Sequence, residues 1–130
     1  MKITTQQQLD DLIATANKSN TIVLDEDLEI TFDCKIPCNI KAHGNIDAHG
    51  NITACNIDAF DITAFDIDAH GNITAFDIDA HGNIKAKNIE YYAFCIAYKS
   101  LKCESIAGAR KNSFHKCLDQ EIEITKEIKL

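Results

Sequence analysis

Six cysteines and five histidines are the side chains of this 130-residue chain with the most chemistry to offer. Cys34 and Cys38 lie four positions apart, His115 and Cys117 two apart, and Cys95 and Cys103 fall between. Zinc knuckles are tighter, built on paired C-x-x-C steps. Small thiols filling apolar positions account for Cys55, Cys95 and Cys103 equally well. Thiol hydrolysis needs a cysteine activated by a histidine and a third group to orient that histidine. His115 and Cys117 alternate on a strand or share a turn, but nothing marks a third member. His49 and His70 form the last pair: one coil apart they would stand about 4.8 Å from each other and could share a metal or a proton. The reading is that His49, His70, His115 and Cys117 bind no metal, that there is no cofactor, and that no residue is catalytic.

Carboxylates are the stronger candidates. Asp47, Asp58, Asp61, Asp66, Asp68, Asp77 and Asp79 all fall between Lys41 and Lys85, a stretch without lysine or arginine, in a chain of net charge −7. A surface that binds nucleic acid directly is basic, so that role is not expected here. A regular row of carboxylates can instead imitate a phosphate backbone and enter the basic cleft of a protein. Tyr91 and Tyr92, read as exposed beside Lys99, Lys102, Arg110, Lys111 and Lys116, are candidate interface anchors.

The elements that position these residues follow from one phrase, Asn or Asp, then Ile, any residue, then Ala. Isoleucine recurs at steps of five or six from Ile40 through Ile46, Ile52, Ile57, Ile62, Ile67, Ile73, Ile78 and Ile84 to Ile89. Such a short sustained period signals a solenoid. Ile and Ala share the inward face of a short strand, and the residue between them points to solvent. The outward positions read Asp47, Thr53, Asp58, Thr63, Asp68, Thr74, Asp79, a strict alternation. An even number of sides would make each side uniform. The reading is a four-sided coil of about 20–22 residues, with Asp47 under Asp68 and Asp58 under Asp79 on two opposite acidic faces. Six-residue units insert His-Gly at His43-Gly44, His49-Gly50, His70-Gly71 and His81-Gly82, where glycine is expected to supply a positive φ at a bulged corner.

The flanks read as caps. Thr4 and Thr5 precede Gln7 and Gln8 at capping-box spacing, and Leu9, Leu12, Ile13 and Ala16 make one helical stripe. This helix is placed to cover the open end of a solenoid. Leu28, Ile30, Phe32, Cys34 and Ile36 alternate as one half-buried strand, ended or cornered by Pro37. Beyond Asn88 the phrase degrades, and Glu121 to Ile124 alternates again as a closing strand. The fold class is therefore all-β, a parallel β-helix in a single domain. A capping helix occupies 1–20, the solenoid 21–89, and a degenerate last coil with a C-terminal cap 90–130.

The central stretch, as in ACNIDAFDITAFDIDA (54–69), resembles the pentapeptide-repeat proteins. The resemblance implies a right-handed, four-sided β-helix. The His-Gly units and the alanine at the corner depart from that family's pattern. The tail NIEYYAFCIAYKSLKCESIAGARKN (88–112), with HKCLD (115–119), is similar to uncharacterised repeat proteins of low-GC bacteria, their phages and mobile elements. Pentapeptide-repeat proteins include acidic rods that mimic DNA and bind topoisomerases.

These observations together point to a non-enzymatic acidic rod that blocks or modulates a nucleic-acid-handling protein, in the manner of phage anti-defence or anti-CRISPR factors or of topoisomerase-binding rods. The alternative is a scaffold that dimerises or polymerises through its ends or an exposed edge. The N-terminus has no apolar h-region and no stretch approaches the ~20 apolar residues of a membrane span, so a cytoplasmic location without membrane contact is expected, with reduced cysteines.

Overall fold

Isoleucine stacks on isoleucine from coil to coil, and that register builds the molecule. The computed structural model describes residues 1–125. A short strand β1 (Lys2–Ile3) and helix α1 (Gln6–Ile13) precede the coils. The first coil holds β2 (Thr21–Leu24), β3 (Leu28–Ile30) and β4 (Cys34–Lys35), and the second β5 (Asn39–Ala42), β6 (Ile46–Ala48) and β7 (Ile52–Ala54). Next come β8 (Ile57–Asp58), β9 (Asp61–Ala64) and β10 (Ile67–Ala69), then β11 (Asn72–Ala80), which spans two sides, and β12 (Asn83–Lys85). β13 (Asn88–Ala97) also spans two sides and is followed by β14 (Ser100–Cys103); the last coil holds β15 (Ser105–Gly108), β16 (Phe114–Cys117) and β17 (Glu123–Ile124). All strand pairs are parallel, and the whole is a β-solenoid of about six turns.

The coil has three sides, which corrects the four-sided reading. Ile40 pairs with Ile57, Ile46 with Ile62 and Ile52 with Ile67, so successive coils are 17, 16 and 15 residues apart. Side one stacks Ile22, Ile40, Ile57, Ile73, Ile89 and Ile106. Side two stacks Leu28, Ile46, Ile62, Ile78 and Cys95, and side three Cys34, Ile52, Ile67, Ile84 and Leu101. Nearly all of these are fully buried, each isoleucine contributing about 1.5–3 kcal/mol. The odd side number has a physical reason. With three sides, Thr63 separates Asp47 from Asp79 and Thr74 separates Asp58 from Glu90, whereas four sides would stack the repeat aspartates directly.

The corners are held by a second ladder. At several corners the Asn or Asp that opens a side reaches to the coil above, where its Oδ1 accepts a backbone N–H: Asp33 from Asn51 (2.8 Å), Asn56 from Asn72 (2.7 Å), Asp66 from Asn83 (2.7 Å). This explains the glycines, none of which has a positive φ. A Cβ at Gly44, Gly50, Gly71 or Gly82 would run into Oδ1 of Asp27, Asp33, Asn56 or Asp66, respectively. Each glycine therefore clears the path of the carboxylate or amide that bonds the following residue. Among the described non-glycine residues only Asn20, which ends the loop before β2, takes a positive φ, 56°.

The N-terminal lid forms as its sequence implies. Thr5 is the N-cap, accepting from the Gln8 amide at 3.2 Å, while Gln8 Oε1 accepts from the Thr5 amide at 3.2 Å. Leu9 and Leu12 are buried against the first coil. The alternating run from Leu28 to Ile36 is not one strand. It turns a corner between β3 and β4, because inward and outward residues keep alternating through the bend. At the other end β17 pairs with β14 (Cys103 with Ile124), so the closing strand exists, and the remainder of the expected C-terminal cap, 126–130, lies outside the described residues. Among the described residues no helix is long and apolar enough to cross a membrane.

Candidate functional site

The outward positions differ from side to side although the backbone does not. Side one shows Val23, Lys41, Asp58, Thr74, Glu90 and Ala107. Side two shows Glu29, Asp47, Thr63 and Asp79, then Ile96 and Lys116, with Lys2 in register below Glu29. Side three shows Lys35, Thr53, Asp68, Lys85, Lys102 and Glu123. Asp47 and Asp79 thus share a column, separated by Thr63. Asp58 stands alone above Lys41, and Asp68 lies between Thr53 and Lys85. Two opposite acidic faces do not form; a three-sided prism has none to offer.

Side two gathers the carboxylates instead. The corner ladder entering it runs Asp27, Asn45, Asp61, Asp77, where Asp27 Oδ1 accepts from the Asn45 amide (2.7 Å) and Asn45 Oδ1 from the Asp61 amide (3.2 Å). Together with Glu29, Asp47 and Asp79, this sets six carboxylates on four successive rungs. Asp61 is the strained member: burial and the Asp77 carboxylate push its carboxyl up from the ordinary range, against the Asp77 amide, which pulls it down. Oδ1 of Asp77 and of Asp79 are shut from solvent without a hydrogen-bond partner. At the lower rungs His49 Nε2 lies 3.0 Å from Glu29, and the terminal amine donates to Asp27 O at 2.8 Å and pairs with Glu26 at 2.6 Å. Asp66, on the ladder between sides two and three, is committed to the Asn83 amide.

The other candidates separate. The four His-Gly corners fall on three different edges: His43 above Leu24, His49 above Ile30 and His81 above Ala64, and His70 above Ala54. His49 and His70 therefore do not stack, because a coil of 15–18 residues puts them on different corners. His115 and Cys117 share β16 but have different partners: His115 Nδ1 meets the Tyr91 hydroxyl at 2.7 Å, and Cys117 Sγ donates to Lys99 O at 3.4 Å. No group of three His, Cys, Asp or Glu side chains placed to hold a metal occurs among the described residues. Burial, and secondarily Asp33, pushes the Cys34 thiol up to about 11, while burial and Cys103 push Cys95 up to about 12. Such thiols stay protonated at neutral pH and are poor nucleophiles.

The two tyrosines part company. Tyr91 is buried, 3% exposed, in the inward position held by Ala75 one coil below, so it fills the end of the core and is no surface anchor. Tyr92 is exposed and continues a corner stack that residue types alone did not suggest. Phe60 and Phe76 lie 5.3 Å apart, Phe76 and Tyr92 5.2 Å, with Arg110 at 5.1 Å over Tyr92. The available signal was the sixteen-residue spacing of these three positions, which is the true coil length. A groove of about 290 Å³ runs between this stack and the side-one column. A scan against protein-family models and searches of curated proteins and of solved structures return no match to this chain.

Proposed function

We propose that the chain is a non-enzymatic binding protein whose second side engages a basic cleft in a protein that handles nucleic acid. One observation carries this reading: Asp27, Glu29, Asp47, Asp61, Asp77 and Asp79 share four rungs of one side, with Lys2, His49 and the terminal amine as the basic groups near its lower rungs. Four rungs span about 14 Å at the strand spacing of ~4.8 Å. Six carboxylates over that length is roughly one charge per 2.4 Å, against one per ≈1.7 Å of duplex axis. The two charge densities are of the same order, and the partial enclosure of Asp77 and Asp79 strengthens the field they project. A solubilising surface has no need to collect one sign on one side, since mixed charges serve that purpose at lower cost.

A DNA-mimicking inhibitor of phage or mobile-element type, acting on a CRISPR effector or a topoisomerase, is the form of this proposal closest to the chain's repeat character. The test is capture from host lysate on immobilised protein at low and high salt, with duplex DNA as competitor. A specific partner released by salt and displaced by DNA supports the reading. A partner that resists both, or that also binds a Glu29→Gln/Asp47→Asn/Asp79→Asn variant, overturns it.

A further inference from the structure

We propose that side one is a self-complementary interface through which two copies pair face to face, with their solenoid axes antiparallel. The argument begins with the outward column, Val23, Lys41, Asp58, Thr74, Glu90, Ala107, one residue per coil. All six are exposed, including the aliphatic Val23 at 49%. Neither Lys41 nor Glu90 enters an ion pair among the described residues.

Two copies meeting face to face about a two-fold axis have two choices. If the axis runs along the rods, each rung meets its own counterpart, so Lys41 faces Lys41, Asp58 faces Asp58 and Glu90 faces Glu90. Three like-charge contacts reject that arrangement. If the axis crosses the rods between the third and fourth coils, the column is read against its own reverse. Lys41 then faces Glu90 of the second copy, Asp58 faces Thr74, and Val23 faces Ala107. Each pair occurs twice and each is complementary, as an isologous interface requires.

The neighbouring corner obeys the same symmetry. His43, Phe60, Phe76 and Tyr92 occupy successive rungs, so the second copy sets Phe60 against Phe76 and His43 against Tyr92. Phe60, Phe76 and Tyr92 are 49%, 51% and 45% exposed, and they form one continuous apolar strip beside the groove. Exposed aromatics in line with a cation, here Arg110 over Tyr92, are the composition of interface centres. Side two with Lys2 included sets Asp47 against Asp79 when reversed; side three reversed pairs Lys35 with Glu123 and Asp68 with Lys85, so charge alone does not single out side one, and the continuous Phe60, Phe76, Tyr92 strip along its corner does. Six rungs by one short strand give a patch of about 400 Å² per copy, about half the area per partner of a standard stable interface, which makes the pair weak and transient. The pair is therefore concentration-dependent and leaves the carboxylate side facing outward. It does not depend on that side having a partner.

The experiment is sedimentation velocity from micromolar to millimolar protein, at low and high salt, with circular dichroism to confirm folding. Wild type should pass from monomer to dimer. Lys41→Glu and Glu90→Lys should each weaken pairing by about tenfold or more, since each sets like charges face to face. The double variant K41E/E90K should recover it, and Phe76→Ser should weaken it without sensitivity to salt. A chain that stays monomeric at millimolar concentration overturns the proposal. So does a dimer indifferent to both single reversals, which would place the contact elsewhere, such as the ends of the rod. Single reversals that weaken pairing without rescue in the double variant overturn the antiparallel register.

Discussion

Side two and side three share a backbone, an isoleucine interior and a coil length, yet they show solvent different surfaces. Side two presents Glu29, Asp47, Thr63 and Asp79; side three presents Lys35, Thr53, Asp68, Lys85 and Lys102. The difference teaches that the fold leaves the outward column free. Whatever is regular inside is required for stacking, and whatever is one-signed outside needs another explanation. The corner between the two sides belongs to the first category, because its Asx side chains bind the next coil.

Removing what the sides share should give the largest effect. Ile62→Ala on side two and Ile67→Ala on side three should each cost about 2–5 kcal/mol, by similar amounts, in urea unfolding. A much smaller loss on one side would mean that its interior is not equivalent. The corner comes next. Gly82→Ala should cost about 1–3 kcal/mol, because the new methyl displaces Asp66 Oδ1 from the Asn83 amide. In an Asp66→Ala background the same change should cost far less, and full additivity would contradict the proposed role of glycine.

The charge of side two itself should then be visible as a pH effect. Asp61 has its carboxyl raised in the folded state by burial and by Asp77. The folded chain therefore holds that proton more tightly than the unfolded chain. The stability associated with the neutral form is present below the ordinary carboxyl range and is lost as pH rises through the raised value. Asp61→Asn should melt higher than wild type at pH 7, with the advantage shrinking toward pH 4. An advantage that grows on acidification would reverse the sign and refute the account. Asp68→Asn on side three, where Lys85 is the neighbour in register, is the control and should show no such gain.

The solenoid, its inward and outward positions, the lid helix and the closing strand could all be read from the chain. Each is a local pattern of period two or 3.6, or a capping pair such as Thr5 and Gln8. The number of sides could not be read, because it is set by which coil lies above which, a non-local fact. The Asp/Thr alternation fits both parities until the repulsion between stacked carboxylates is weighed. Weighing it favours three sides. The same error placed Asp47 with Asp68 and His49 with His70. The role of the glycines is not legible locally, since the obstacle they avoid is an Asp or Asn side chain fifteen to seventeen residues earlier. The basic residues that follow Tyr91 suggest exposure, whereas its register puts it in an alanine column at the end of the core.

The smallest expected change in stability is also the most informative about function. Glu29→Gln/Asp47→Asn/Asp79→Asn on side two and Asp68→Asn on side three should each leave folding within about 0.5 kcal/mol of wild type, or raise it slightly, as surface changes do. The central measurement is the affinity of each variant for the captured partner across a salt series. The account predicts that the side-two variant loses about tenfold or more and that its salt slope flattens, while the side-three variant keeps both. Equal behaviour of the two variants would contradict the claim that side two is the binding face.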